Sequence, residues 1–244
     1  MSGITPYNQR TALLLGEDAI NTLAEKHVMV VGVGGVGSYA VEMLARSGVG
    51  TLTIIDADVV SPSNINRQLP ALMSTIEMSK VDVMKHRIKD INPDCKVNAI
   101  NRFISAEDVS EILETFNPDF VVDAIDSVAP KVELIKQSLH RKIKIISSMG
   151  AGGRIDPTKV QYADIADTFH DGLARVVRQR LKEQGITRGL KVVFSSEQAR
   201  KSSLIMTDEI QNKISSFGTV AWLPATFGIM LTAHVINRLT GQKI

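Results

Sequence analysis

Two hydrophobic patterns alternate along this chain. Short, mostly apolar runs, VMVV at 28–31, TLTII at 51–55, FVV at 120–122 and IKII at 143–146, are separated by stretches in which apolar residues recur every three or four positions. The first kind predicts strands covered on both faces, and the second predicts amphipathic helices. A leading helix is expected over RTALLLGEDAINTLAEKH, with Leu13, Leu14, Ile20, Leu23 and Ala24 on its apolar side and its end near His27. VMVVGVGGVGSYAVEMLARSGVG then reads as strand, glycine turn and helix, and TLTIID as the next strand.

The alternation continues. KVDVMKHRIKDINP leads into CKVNAI, SAEDVSEILETF into DFVVDAID, and a helix around KVELIKQSLH into IKIISS. Repeated strand–helix units predict an α/β fold, a Rossmann-like doubly wound, mostly parallel sheet over residues 27–148. Residues 149–244 predict an α+β elaboration of one single domain. It comprises a glycine-rich turn running into an edge strand (SMGAGGRIDPTKVQYADI), a basic amphipathic helix stopped by Gly185, a short strand LKVVFSS and a closing helix WLPATFGIMLTAHVINRL. Residues 199–216 read as a mobile loop.

Composition narrows the function. With 28 Lys and Arg against 26 Asp and Glu, the net charge of +2 announces neither a nucleic-acid binder nor a disordered chain, so any basic surface has to be local. The single cysteine, Cys95, excludes an internal disulfide and a cysteine-based zinc site, which suits a reducing, cytoplasmic setting. MSGITPYNQR has no apolar core of signal-peptide length, and FGTVAWLPATFGIMLTA is short for a membrane span and carries Pro224 and Gly228. It is expected as a buried or subunit-contact helix, with no membrane role.

Candidate chemistry begins at Gly32-Val-Gly34-Gly35-Val-Gly37. G-x-G-x-x-G after a strand and opening a helix brings backbone amides and a helix N-terminus to an anion. Asp56 ends the following strand, where an acid accepts hydrogen bonds from ribose hydroxyls. A hydride-transferring enzyme would share both features. It would not call for the rest of DADVVSPSNINRQ, with Asn64, Asn66, Arg67 and Gln68, nor for Lys80 leading a helix and Asp123 and Asp126 ending a strand. A triphosphate with a magnesium ion would, since cations neutralise charge on phosphoryl oxygens while a carboxylate holds the metal.

On YNQR, GVGGVG, DADVVSPSNINRQ, EMSKVDVMKHRIKDINP and DAIDS, the chain is similar to the ubiquitin-activating, ThiF and MoeB superfamily of adenylating enzymes. The resemblance implies that Asp56 holds the ribose, that Asn66 and Arg67 contact phosphates, that Lys80 neutralises the α-phosphate region and that Asp126 binds Mg2+. It also implies that Arg10 reaches into a partner subunit's site, hence a homodimer. Asp58 is structural or ligand-orienting. Superfamily members that activate ubiquitin-like proteins commonly carry paired CxxC motifs or a catalytic cysteine, and this chain has neither.

Residues 148–196 closely resemble the tRNA threonylcarbamoyladenosine dehydratase (TcdA) branch, except that Asp171-Gly172-Leu173 stands where the branch usually has Asp-Pro-Leu. That resemblance implies ATP-dependent cyclisation of a threonylcarbamoyl adenosine beside the tRNA anticodon. It leaves room for a monovalent cation (K+ or Na+) and for a cysteine desulfurase/sulfur-acceptor system as partner.

Between Asp171 and Lys201 eight cations, among them Arg175, Arg178, Arg180, Lys182 and Arg188, stand against three acids. These five are the candidate tRNA contacts, with a solvated helix face as the alternative. His170 is expected at the surface. The competing functions are an activator of a ubiquitin-like sulfur carrier, a scaffold that keeps ATP without chemistry, and a nicotinamide oxidoreductase.

Overall fold

The computed structural model describes residues 4–206 and 215–242. Its elements, in chain order, are α1 (Gln9–Leu15), α2 (Glu17–Ala24), β1 (His27–Val31), α3 (Gly37–Arg46), β2 (Thr51–Ile55), α4 (Lys80–Ile91), β3 (Lys96–Ile100), α5 (Val109–Phe116), β4 (Phe120–Asp123), α6 (Val128–His140), β5 (Lys144–Ser148), β6 (Val160–Asp164), α7 (Gly172–Glu183), β7 (Lys191–Ser195), β8 (Leu204–Met206), β9 (Ser215–Phe217) and α8 (Trp222–Thr240). A seven-stranded sheet has the order β3-β2-β1-β4-β5-β7-β6. All its pairings are parallel except β6 against β7, so β6 is an antiparallel edge strand. Two apolar cores flank the sheet. One gathers Leu44, Met84 and Phe227 from α3, α4 and α8, and the other gathers Ile112, Ile135 and Val177 from α5, α6 and α7. Strands buried on both faces explain the mostly apolar runs.

Strand order reverses between β1 and β4. In an open parallel sheet the crevice beyond the carboxyl ends of strands at such a switch point receives ligands. Here it lies between the glycine turn after β1 and the DAIDS loop after β4. Helix α8 closes one side. A Cβ on Gly228 would fall 2.4 Å from the Val36 carbonyl oxygen, so glycine is what lets α8 lie against the start of α3. Thr232 Oγ1 donates to the Ala40 carbonyl at 3.0 Å on the same contact.

Two expectations need correction. The leading helix is two helices, broken at Gly16, whose φ of 92° and ψ of 154° leave the helical region. Ile20 and Leu23 are fully buried on α2, while Leu13 and Leu14 on α1 are 83% and 84% exposed instead of facing the core. The chain leaves helix at Ala24, and His27 opens β1. Within the expected loop at 199–216, β8 and β9 pair antiparallel, with Leu204 opposite Phe217. Residues 207–214 of that expectation lie outside the described residues.

Candidate active site

The glycine turn is shaped by close approach. A Cβ on Gly37 would lie 1.8 Å from the Gly32 carbonyl oxygen, and one on Gly32, at φ 89°, would lie 2.7 Å from the Ala124 carbonyl oxygen. The turn after β1 therefore packs directly on the loop after β4. Gly34 and Gly35 are less crowded: a Cβ on Gly34 would meet nothing nearer than Gln68 Nε2 at 3.8 Å, and one on Gly35 would meet Pro224 at 3.4 Å and Arg67 Cγ at 3.5 Å. Gly35 thus brings the turn, the arginine and the first turn of α8 together.

Asp56, just beyond β2, ties the turn to the crossover that follows. Its Oδ2 accepts from the Val33 amide at 2.6 Å and its Oδ1 from the Asp58 amide at 2.9 Å. Burial pushes the Asp56 carboxyl up from its ordinary range, against the opposing pull of Lys80 and the two amides. Lys80, the first residue of α4, is buried, and its Nζ donates to Asp58 Oδ2 at 2.6 Å while the Asp58 side chain stays 70% exposed. Asp58 therefore orients the lysine. An ammonium held beneath an exposed carboxylate can be drawn toward a more highly charged phosphate with little rearrangement.

The crossover presents a small polar array. Arg67 Nη1 donates to the Ser63 carbonyl and to Asn66 Oδ1, both at 2.9 Å, and Asn66 Nδ2 donates to the Thr219 carbonyl at 2.9 Å. Asn64 turns inward instead, its Oδ1 accepting from the Ser61 amide to cap a short 3-10 turn over Pro62–Asn64. Burial draws the Arg67 guanidinium down from its ordinary value, and the Asp126 carboxylate opposes it. The Asp126 carboxylate, on the loop after β4, is thus near enough to act on the Arg67 charge across the switch point. Asp126 is exposed on the β4–α6 loop. Arg10 is exposed on α1 and makes no hydrogen bond or ion pair with these residues, so it is not part of the array within this subunit.

Two further residues belong to this region: Gln68, already singled out in the crossover, and Lys131, which the residue pattern did not bring out. Gln68 is 9% exposed and its Oε1 has no protein partner, beside the open face of the glycine turn. Lys131, wholly buried, pairs with Asp123 at 2.8 Å directly behind the Asp126 loop. A lysine at the same helical face as Leu134 and Ile135 was the available signal.

Helix α7 disperses its charge. Asp171 is its N-cap, accepting from the Ala174 amide at 2.9 Å, and is buried against Arg154, 3.6 Å away. Burial raises the Asp171 carboxyl, opposed by Arg154 and by amides that include those of Ala174 and Gly150. Glycine at position 172 is tolerated there because the aspartate supplies the helix start.

Among the five candidate tRNA contacts, Arg175 and Lys182 are exposed. Arg180 lies 3.8 Å from Glu183 and Arg188 2.7 Å from Asp167. Arg178 is half-buried, and its Nη1 donates to Thr168 Oγ1 at 2.6 Å and to the Thr168 carbonyl at 3.0 Å, fastening the turn that precedes α7. His170 sits at φ 56° with Nδ1 3.1 Å from the Ser196 carbonyl.

The family match spans residues 7–244 and is to the ThiF family. The chain belongs to the ThiF family. It is 40% identical over 241 residues to the tRNA threonylcarbamoyladenosine dehydratase of Bacillus subtilis, covering 94% of this chain and 93% of that one. Its identity to the protein of the same name from Escherichia coli is 38% over 249 residues, covering 95% and 92%. The crystal structure of the E. coli protein, TcdA, in complex with ATP superposes with a TM-score of 0.88 at 37% identity, covering 99% of this chain and 98% of that one. A Rossmann-like, mostly parallel sheet is common to the ThiF family and this chain. No helix among the described residues is long and apolar enough to cross a membrane.

Proposed function

We propose that this chain is an ATP-dependent tRNA threonylcarbamoyladenosine dehydratase. The threonyl carboxylate attacks the α-phosphorus of ATP and pyrophosphate leaves. The neighbouring carbamoyl group then attacks the acyl adenylate and AMP leaves, so the nucleoside closes with net loss of water. Near-full-length similarity to two curated dehydratases supports this reading.

The observation that carries it is the separation of the phosphate-facing array from the only thiol. Cys95 is fully buried, precedes β3 at the amino-terminal end of the sheet and has its thiol pushed up by burial to about 11. An acyl adenylate formed at the carboxyl ends of the strands has no enzyme thiol to receive it, and an internal nucleophile of the substrate removes the need for one.

In this reading Asp56 receives the ribose hydroxyls, Asn66 and Arg67 hold the phosphates, and Lys80 shifts from Asp58 toward the α-phosphate as negative charge builds there. No group of three or more His, Cys, Asp or Glu among the described residues forms a metal cage. Exposed Asp126 with phosphate oxygens and water fits Mg2+, which is commonly held by one or two carboxylates plus substrate. Bound magnesium would supply charge neutralisation on the phosphates. Arg10 completes the site of a second subunit in a homodimer, and the 149–244 region carries the tRNA-facing surface of a cytoplasmic enzyme.

Purified protein with ATP, magnesium and tRNA bearing the open nucleoside is expected to yield the cyclic nucleoside by mass spectrometry. Absence of that product, with pyrophosphate release dependent on a carrier protein's C-terminus, overturns the reading in favour of a sulfur-carrier activator. For the dimer, mixing inactive Arg10→Ala and Asp126→Ala subunits restores activity at mixed sites; stable heterodimers without activity would place the site within one subunit.

A further inference from the structure

Behind the Asp126 loop lies a charged pair with no access to solvent. Lys131 on α6 and Asp123 at the end of β4 are both 0% exposed, with Nζ and Oδ2 2.8 Å apart. Burying two charges costs several kcal/mol per ion before any attraction is counted, and apolar residues of the same volume often serve stability as well or better. The bonds of this pair converge on one residue. Lys131 Nζ donates to the Ile125 carbonyl at 2.8 Å, and Asp123 Oδ1 accepts from the Ile125 amide at 3.1 Å. Ser147 on β5 donates its hydroxyl at 2.5 Å to Asp123 Oδ2, the oxygen that also pairs with Lys131.

Ile125 stands between the two contacts that matter to the site. Before it, Ala124 donates its amide to the Val31 carbonyl at 2.9 Å and carries the carbonyl against which Gly32 is packed. After it comes Asp126, whose carboxylate acts on the Arg67 charge. We infer that Lys131 and Asp123 are positioning residues, a buried clamp that grips both backbone polar groups of Ile125 and so sets the aim of Asp126 and its spacing from the glycine turn. The inference rests on the proposal that Asp126 serves the magnesium–ATP complex. Ion pair and amide bonds together leave the Ile125 peptide one orientation. An apolar filler would leave its amide and carbonyl without partners and the loop free to rotate.

The test compares Lys131→Met/Asp123→Leu, Lys131→Arg, Ser147→Ala and Asp126→Asn. The readouts are denaturant stability, kcat and KM for ATP in cyclisation, and ATP affinity by calorimetry with and without magnesium. The apolar double variant is expected to stay folded and to bind ATP without magnesium as the wild type does. It should lose the magnesium-dependent gain in affinity and drop kcat about 100-fold, the size of effect an ångström of misplacement produces. Lys131→Arg recovers most of that loss because a guanidinium can still reach the carboxylate and the carbonyl. Ser147→Ala, which keeps the pair but removes one of the two donors to Asp123 Oδ2, lowers kcat by about tenfold and serves if the double variant does not fold.

A folded double variant, or Ser147→Ala in its place, with unchanged kcat and unchanged magnesium response reduces the pair to a structural role and overturns the inference. Equal loss of ATP affinity with and without magnesium overturns it too, as general collapse of the crevice. Asp126→Asn separates the two levels. If it leaves activity and magnesium response intact, the reading of the site fails and the clamp with it. If it is crippled while the clamp variants are not, only the clamp fails.

Discussion

Charge is handled in opposite ways at the carboxyl edge of the sheet and on α7. At the sheet edge, Asp56 after β2, Arg67 on the crossover, Lys80 at the start of α4 and Asp126 after β4 converge on one crevice. On and just after α7, cations close together in the chain are sent to different tasks: Arg178 to a turn and Arg188 to Asp167, with Arg175 and Lys182 left exposed, while Arg154, from before β6, pairs with the buried Asp171. Proximity in sequence is thus a poor guide to a shared surface on a helix, whose residues point around a full circle. Strand ends in a parallel sheet all emerge on one edge, so a charge placed there is placed near the others.

The comparison breaks if the convergence is not functional. Asp126→Ala and Arg67→Ala are each expected to lower cyclisation about a thousand-fold with stability little changed, because in the proposed site Arg67 neutralises phosphate charge and Asp126 holds the magnesium that does the same, and neither fills a core. Single-turnover rates and denaturant curves on the same preparations check both halves; a small rate effect would reduce the crevice to a charged surface.

A buried contributor from the α7 side should behave in the reverse manner. Arg154, 3% exposed, donates to the Glu197 carbonyl at 2.7 Å and the His170 carbonyl at 2.8 Å, and also binds the Gly150 carbonyl. Arg154→Ala strands the Asp171 carboxylate and should cost about 3–5 kcal/mol of stability, measured in urea. Arg154→Lys is expected to recover little, since an ammonium cannot reproduce the planar fork that spans three chain segments.

Acid sharpens the comparison at the amino-terminal end of the sheet. His234 packs against Phe120 and Tyr162, and burial, with Lys191 and Arg238 nearby, lowers it to about 4. Its folded value lies below the unfolded one, so protons favour the unfolded chain. This contribution is complete above pH 6.5 and is lost as pH falls toward about 4. His234→Leu should flatten that part of the stability–pH curve; an unchanged slope would assign the acid sensitivity to other groups.

The smallest effect separates the two kinds of α7 cation. Glutamate at both Arg175 and Lys182 should weaken tRNA binding about tenfold, more at low salt than at high, while ATP affinity is spared. Arg178→Ala should instead lose about 1 kcal/mol of stability with tRNA affinity unchanged. If Arg178→Ala weakens tRNA binding as strongly, its guanidinium leaves the Thr168 turn to meet phosphate.

Much of the fold could be read from the residues because its signals are local. Mostly apolar runs marked β1, β2, β4 and β5 within a residue or two, and the glycine spacing marked the start of α3. Gly16 was the local signal missed: it lies within an otherwise continuous helical pattern, and only its backbone angles show that the chain turns there. The candidate site was legible to the same extent, since Asp56, Lys80 and Asp126 follow or begin regular elements and inherit their place from them.

What the residues settle here is the order of strands and helices and which polar groups stand at strand ends, because backbone geometry and hydrophobic period act over a few positions. Partner choice for the long charged side chains needed the folded chain. Lys131 could have been a solvated helix lysine, and nothing around Arg178 in the chain shows that its guanidinium reaches Thr168. Both partners came from the folded arrangement, and a lysine or arginine reaches far enough that its neighbours in the chain do not decide where its charge ends.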